Sequence, residues 1–231
     1  MGVLTAALLG CSATAATGVS NAAPARPVGG PAAHVPAATA SPSPTPTPSP
    51  TPPPVNRKTA TAELTIPSIG IKNLRIVPYE GTTDDWPGTR IQDRSLAASP
   101  YGPHGGVGPG EIGNYLVTGH RLSAGGPLNK VPSLKAGQKV LVTTGGTTYT
   151  YTVTETRKTD FRSARSLAEQ RAPVPGHPGE KPTKAMITVS TCATPEDNAA
   201  GNFWRDAKNN PQHRIDKIGV LTSWSKAPAG S

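Results

Sequence analysis

Aromatic residues are scarce in this 231-residue chain, at 4%, and apolar residues as a whole reach only 35%. No run of 18 apolar residues occurs, which excludes a polytopic membrane protein. Cysteine is limited to Cys11 and Cys192, too few for a disulfide framework. Acidic residues are absent before Glu63, and Arg26 is the one charged side chain before Arg57. Proline, by contrast, is abundant there: 12 of the 27 fall within the first 60 residues. A stretch so rich in proline and alanine, and so poor in charged and large apolar side chains, cannot build a core. The remaining domain, about 165 residues long, can bury about 70% of its chain surface and needs no staples. Collagen and coiled coil are excluded by composition.

The net charge is +9, with a pI near 9.8. Lysine and arginine are nevertheless scattered singly, and no basic stripe alternates with stacking aromatics. The pattern therefore points away from nucleic acid. A basic surface also suits a protein beside an anionic envelope, where charge raises encounter rates without specifying a site.

Residues 3–10 form a short apolar run followed by Cys11 and small residues. This resembles the apolar part of a secretory signal, though a basic start is missing. Leu8-Leu9-Gly10-Cys11 also resembles a bacterial lipobox. Residues 1–22 are thus read as a signal-like or anchor segment, by lipid, by secretion, or by a truncated anchor helix. Residues 23–60 are read as a disordered Pro/Ala/Thr/Ser-rich linker, extended because proline fixes φ and cannot donate to a ladder. At about 3.1 Å per residue, 36–56 would reach roughly 60 Å. Residues 61–226 form the folded domain, and 227–231 a disordered end.

From Ala62 onward, short β-type runs alternate with turn residues. The expected strands are 63–66, 74–77, 115–118, 139–144, 147–156, 185–191 and 217–222, most of them rich in Val, Ile, Thr or Tyr. Gly145-Gly146 is a two-residue hairpin signal. Tyr149, Tyr151 and Val153 share one face by alternation, as do Ile187 and Val189. Short helices are expected at 163–171 and 199–208. Seven or eight strands with long loops indicate a mainly β fold, an antiparallel barrel or sandwich. The long connection 162–183 is of a length usually reserved for function.

Cys192 is the lone thiol of the folded part and ends an expected strand. On alternation it shares a face with Met186, Thr188 and Ser190. By itself it could equally be a buried, inert cysteine. Thiol chemistry needs a proton-transfer partner. Of five histidines, His34 lies in the tail, His104 and His177 in Gly/Pro-rich loops, and His213 beside the last strand. His120 ends a strand inside Thr118-Gly119-His120-Arg121, a place suited to a group that faces a substrate. Metal ligation has no support in spacing, no cofactor is implied, and no Gly-x-Ser-x-Gly elbow marks a serine hydrolase.

Several segments together resemble one family. Leu64-Thr65-Ile66-Pro67-Ser68-Ile69-Gly70-Ile71 is similar to the opening strand of sortases, cysteine transpeptidases of the bacterial surface. Residues 109–114 followed by Thr118-Gly119-His120-Arg121 resemble the segment carrying their histidine. Ile187-Thr188-Val189-Ser190-Thr191-Cys192 resembles the strand carrying their nucleophile, and Arg214 sits where the family arginine does. The likeness covers about 62–225 and is closest to the class E sortases of actinobacteria. Two departures stand out: Cys192-Ala193-Thr194-Pro195 replaces a frequent Cys-His-Pro, and the Cys-to-Arg spacing is long, adding a loop around Phe203 and Trp204.

The resemblance implies a closed, mixed β-barrel of about eight strands with short helices. It implies catalysis by His120, Cys192 and Arg214. The thiolate would attack a backbone carbonyl of an LPXTG- or LAXTG-like sorting signal on a surface protein, giving a thioester. A peptidoglycan-precursor amine would then take the acyl group, at the extracellular face of the envelope. Membrane contact would be through the N-terminal segment only. With ordinary pKa values near 8.5 and 6.5, about 3% of thiols are ionised and about 24% of imidazoles protonated at pH 7. That corresponds to a reverse-protonation scheme. Some sortases bind calcium through acidic loops, but Asp84-Asp85 and Glu196-Asp197 read as ordinary exposed pairs. Arg205 competes with Arg214 for the third role. The alternative class is a catalytically silent, surface-tethered β-barrel that binds an envelope partner.

Overall fold

The computed structural model describes residues 56–226. The signal-like segment 1–22, the linker up to residue 55 and the end 227–231 lie outside the described residues.

Eight strands close into one barrel. They are β1 (Ala62–Ile66), β2 (Ile71–Glu80), β3 (Ala97–Tyr101), β4 (Gly113–Thr118), β5 (Lys139–Thr144), β6 (Thr147–Asp160), β7 (Ala185–Cys192) and β8 (His213–Lys226). Their order around the barrel is β1-β2-β3-β4-β7-β8-β6-β5. The β2–β3 and β4–β7 pairs are parallel and the others antiparallel. The mixed closed barrel, rather than a sandwich, is therefore the architecture. Closure leaves no free sheet edge, which removes the usual template for aggregation.

Alternation fills the interior. Tyr149, Tyr151 and Val153 of β6 face inward with Leu64, Val142, Val117, Ile187 and Val189, all essentially inaccessible to solvent. Each large side chain so buried stabilises the fold by about 1.5–3 kcal/mol. Gly145 and Gly146 join β5 to β6 with φ of 53° and 70°, the doubly left-handed turn that matches strand twist. The opposite faces of β4, β7 and β8 point out of the barrel. They carry Thr118, Ser190, Cys192, Arg214 and Asp216, a polar set on what would otherwise be an ordinary sheet surface.

Three short helices cover this outer face or its rim. α1 (Trp86–Gln92) starts at Asp85, whose Oδ1 accepts from the Gly88 N–H at 2.8 Å, an N-cap bond. α2 (Ala164–Arg171) is capped by Ser163 and lies within the 162–183 connection. α3 (Thr194–Ala199) follows Cys192 directly. The helix expected at 199–208 is thus misplaced: the helical turn precedes it, started by Pro195 with Glu196 and Asp197 in its first turn. Residues 205–211 instead form a loop closed by an Arg205–Pro211 bridge. α1 and β3 are additional to the expected elements.

Candidate active site

Strand register determines which residues meet. β4 and β7 run parallel, with Thr118 opposite Ser190. The Gly119 N–H donates to the Ser190 carbonyl at 3.2 Å, and the Thr191 hydroxyl donates to the Gly119 carbonyl at 2.9 Å. Two steps on, His120 and Cys192 leave the ends of these strands at the same level. β8 runs antiparallel on the other side of β7 and puts Arg214 directly opposite Cys192. Three side chains from three adjacent strands therefore line one narrow crevice of about 10 Å³, together with Asp84, Gln92 and Asn210. Gly119 matters here for space, because a Cβ at that position would meet Leu128 Cδ1 at 2.7 Å.

A wider groove of about 420 Å³ reaches Cys192 from the side of the β7–β8 loop. Its walls include His120, Arg121, Leu122, Arg205 and Lys208. Among the described residues, no three or more His, Cys, Asp or Glu side chains converge where they could hold a metal ion.

A sortase-domain family model matches residues 64–209, well over half of the chain. The chain belongs to the sortase family. It is an enzyme of the cysteine transpeptidase type that defines that family. The match includes His120 and Cys192 and ends before Arg214. Among solved structures, sortase E of Streptomyces avermitilis is 26% identical, with a TM-score of 0.53 over 77% of this chain and 96% of that one. The SrtA sortase of Actinomyces oris is 24% identical, with a TM-score of 0.56 over 76% and 88%. Sortase E1 of Streptomyces coelicolor, solved with a tripeptide in its active site, is 20% identical, with a TM-score of 0.54 over 73% and 91%. No curated protein matches the chain in sequence.

The surroundings of each side chain set the chemistry open to this sortase. Burial pushes the Cys192 thiol above its ordinary range; Arg214 pulls it back, while Asp84 and Asp206 add to the rise. The thiol donates to the Asn210 side-chain oxygen at 3.9 Å. Asn210 is itself fixed by Asp206, which accepts from its backbone and side-chain N–H groups at 2.8 and 3.1 Å. His120 Nε2 lies 2.9 Å from Asp93 Oδ1. A carboxylate can only accept, so Nε2 carries a proton and Nδ1 is the nitrogen left to exchange one.

Arg214 is buried, with its guanidinium 5.0 Å from the Phe161 ring centroid. Burial works against its charge, but Asp84 and the Cys192 sulfur outweigh it and hold the guanidinium above its usual range. Arg205 lines the groove rather than the crevice, and donates to Asn198 Oδ1 and the Trp204 carbonyl, each at 2.6 Å. The other described histidines lie elsewhere. His104 and His177 are exposed, and His213 Nδ1 sits 2.7 Å from Asp197 Oδ1.

The acidic pairs are not ordinary exposed pairs. Asp84 lines the crevice and Asp85 caps α1. Asp197 is buried beside His213, and Glu196 holds Arg121 through two bonds of 2.9 and 3.0 Å. Sequence reasoning missed Asp84, Asp93 and Asn210 as neighbours of the site. Only Asp85-Trp86-Pro87, a cap followed by proline, carried a local signal, and it marked the helix that delivers Asp93.

Proposed function

We propose that Cys192 is the nucleophile, His120 the proton-transfer group and Arg214 the oxyanion ligand of this sortase. Its substrate would be an LPXTG- or LAXTG-like sorting signal, and its acceptor an amine of a peptidoglycan precursor. The observation that carries the reading is the common level of Cys192 on β7, Arg214 opposite it on β8, and His120 two residues past the end of β4.

The Cys192 thiolate forms a C–S bond to the scissile carbonyl carbon, and the carbonyl oxygen becomes an oxyanion. An Arg214 N–H in a buried, water-poor crevice can stabilise that charge far better than solvent. The tetrahedral centre collapses, the C–N bond breaks, and protonated His120 gives its proton to the leaving amine. An incoming amine attacks the thioester, loses a proton to His120, and expels the Cys192 thiolate. Because burial raises the thiol, the thiolate is a minor species at neutral pH. Turnover therefore draws on a minor but fully charged population.

Sortases act at the cell surface. In our reading, residues 1–22 attach the chain to the membrane, by lipid at Cys11 or by an N-terminal anchor. The segment read as the linker 23–60 spaces the catalytic domain from it, its last residues from Arg57 onward packing on the domain itself. The test is transfer itself. The protein is incubated with LPXTG and LAXTG peptides and an amine such as triglycine. A product joining the Thr carboxyl to the added amine supports the reading, and release of neither fragment from either peptide overturns it.

A further inference from the structure

Asp84 is the residue that Arg214 contacts most closely. Its Oδ1 accepts from Arg214 Nε at 2.9 Å and from Nη2 at 2.7 Å. Nη1 meanwhile donates to the Pro211 and His213 carbonyls at 2.8 and 3.3 Å. These bonds fix the plane of the guanidinium and leave one Nη2 N–H for a ligand in the crevice shared with Cys192.

Asp84 has φ of 64°, the left-handed region that a non-glycine residue enters only when its surroundings impose it. The imposition is visible on both sides of the β2–α1 loop. The Thr83 hydroxyl donates to Gln170 Oε1 at 3.0 Å and accepts from Arg171 Nε at 2.8 Å. Arg171 Nη2 also donates to the Thr83 carbonyl at 3.0 Å. Before it, the Tyr79 hydroxyl donates to the Thr82 carbonyl at 2.6 Å, and the Thr82 N–H donates to Asp85 Oδ2 at 3.0 Å. A carboxylate that merely plugged the site until substrate arrived would ride on a loosely held segment. This one is tied to α2, to β2 and to the cap of α1.

We propose that Asp84 is a positioning residue of this sortase: it holds the Arg214 guanidinium in the orientation from which its free N–H meets the oxyanion formed at Cys192. The proposal rests on the reading of Arg214 as oxyanion ligand. A buried arginine held at fixed orientation loses no catalytic power to reorganisation, whereas a displacement near 1 Å costs about a hundredfold.

The test compares kcat and KM on a sorting peptide for the full chain, Asp84→Ala, Asp84→Asn, Arg214→Ala and Asp84→Ala/Arg214→Ala, each checked for folding by thermal melting. Asp84→Ala should lower kcat about 10- to 100-fold and leave KM within about threefold. Asp84→Asn keeps an acceptor oxygen and should recover part of kcat. With Arg214 already removed, Asp84→Ala should cost nothing further, the non-additivity expected of one unit. Should Asp84→Ala fail to fold, Asp84→Asn carries the same comparison, with a smaller loss that vanishes in the Arg214→Ala background. Normal or raised kcat without the Asp84 carboxylate overturns the proposal, and so does an equal loss in both backgrounds. Normal turnover in Arg214→Ala is a different failure, since it overturns the role given to Arg214 itself.

Discussion

Removing Arg214 should have two separable consequences. The side chain is 2% exposed and its partner Asp84 13%, so Arg214→Ala strands a carboxylate in a largely buried site. Breaking one half of a buried pair costs about 3–5 kcal/mol. Water reaches the partly exposed Asp84 oxygens, which places the expected loss near the lower end, about 3 kcal/mol. For a domain of this size that is a fall in Tm of about 6–12 °C. Turnover on a sorting peptide should fall by about 10²–10³, the cost of one oxyanion donor. The double variant Arg214→Ala/Asp84→Asn removes the stranded charge as well. It should regain part of the lost Tm, since the stranded charge is gone while the Pro211 and His213 carbonyls still lack their donor. Its turnover should stay as low as that of Arg214→Ala. Melting curves and peptide transfer measured on the same preparations decide the matter. If turnover returns along with Tm, the work of Arg214 is structural and the oxyanion assignment is wrong.

His120→Ala should lose about 10²–10⁴ in turnover while Cys192 still reacts with iodoacetamide, whereas His104→Ala and His177→Ala should be near normal; a silent His104 or His177 variant would move the proton-transfer role. Asp216 is buried, and burial raises its carboxyl even though Ser190, Thr159 and Gln170 bond to it. The folded state then holds a proton that the unfolded state has released, so this group's contribution to stability falls as pH rises from about 4 towards its raised folded value. Asp216→Asn should remove that slope, and urea titrations of both proteins showing the same pH dependence would refute it. The Arg57 backbone N–H donates to Glu111, Nε donates to the Pro109 carbonyl at 2.6 Å, and the guanidinium lies 5.2 Å from the Tyr149 ring centroid. A chain beginning at residue 56 should therefore match the full chain in Tm and in activity on short peptides. One beginning at residue 62 should melt lower, and equal Tm for the two would show that these contacts contribute nothing.

The inward face of the barrel was legible because its residues repeat with period two. Tyr149, Tyr151, Val153, Ile187 and Val189 could be assigned before any pairing was known. β3 was invisible for the opposite reason: Ala-Ala-Ser-Pro-Tyr has weak strand preference and no alternation, since four of its five residues are buried. Pro195 with its acidic neighbours marks a helix start that the small residues after it obscured. At the site, Cys192, His120 and Arg214 stood out through the family resemblance. Asp84, Asp93 and Asn210 did not, because each reaches the site from a loop or a helix end placed by tertiary packing. Asp84 lies 130 positions from the arginine it holds. No local pattern encodes such a pairing.

The central claim is that this sortase works through a thioester on Cys192, and it can be observed directly. The protein is mixed with a sorting-signal peptide in the absence of an added amine, quenched in acid, and its intact mass and Cys192-containing fragment are measured. The expected result is a mass increase equal to the peptide segment ending at threonine, located on Cys192, removed by hydroxylamine and absent from Cys192→Ala. Peptide cleavage with no adduct at Cys192, or cleavage that persists in Cys192→Ala, would contradict it.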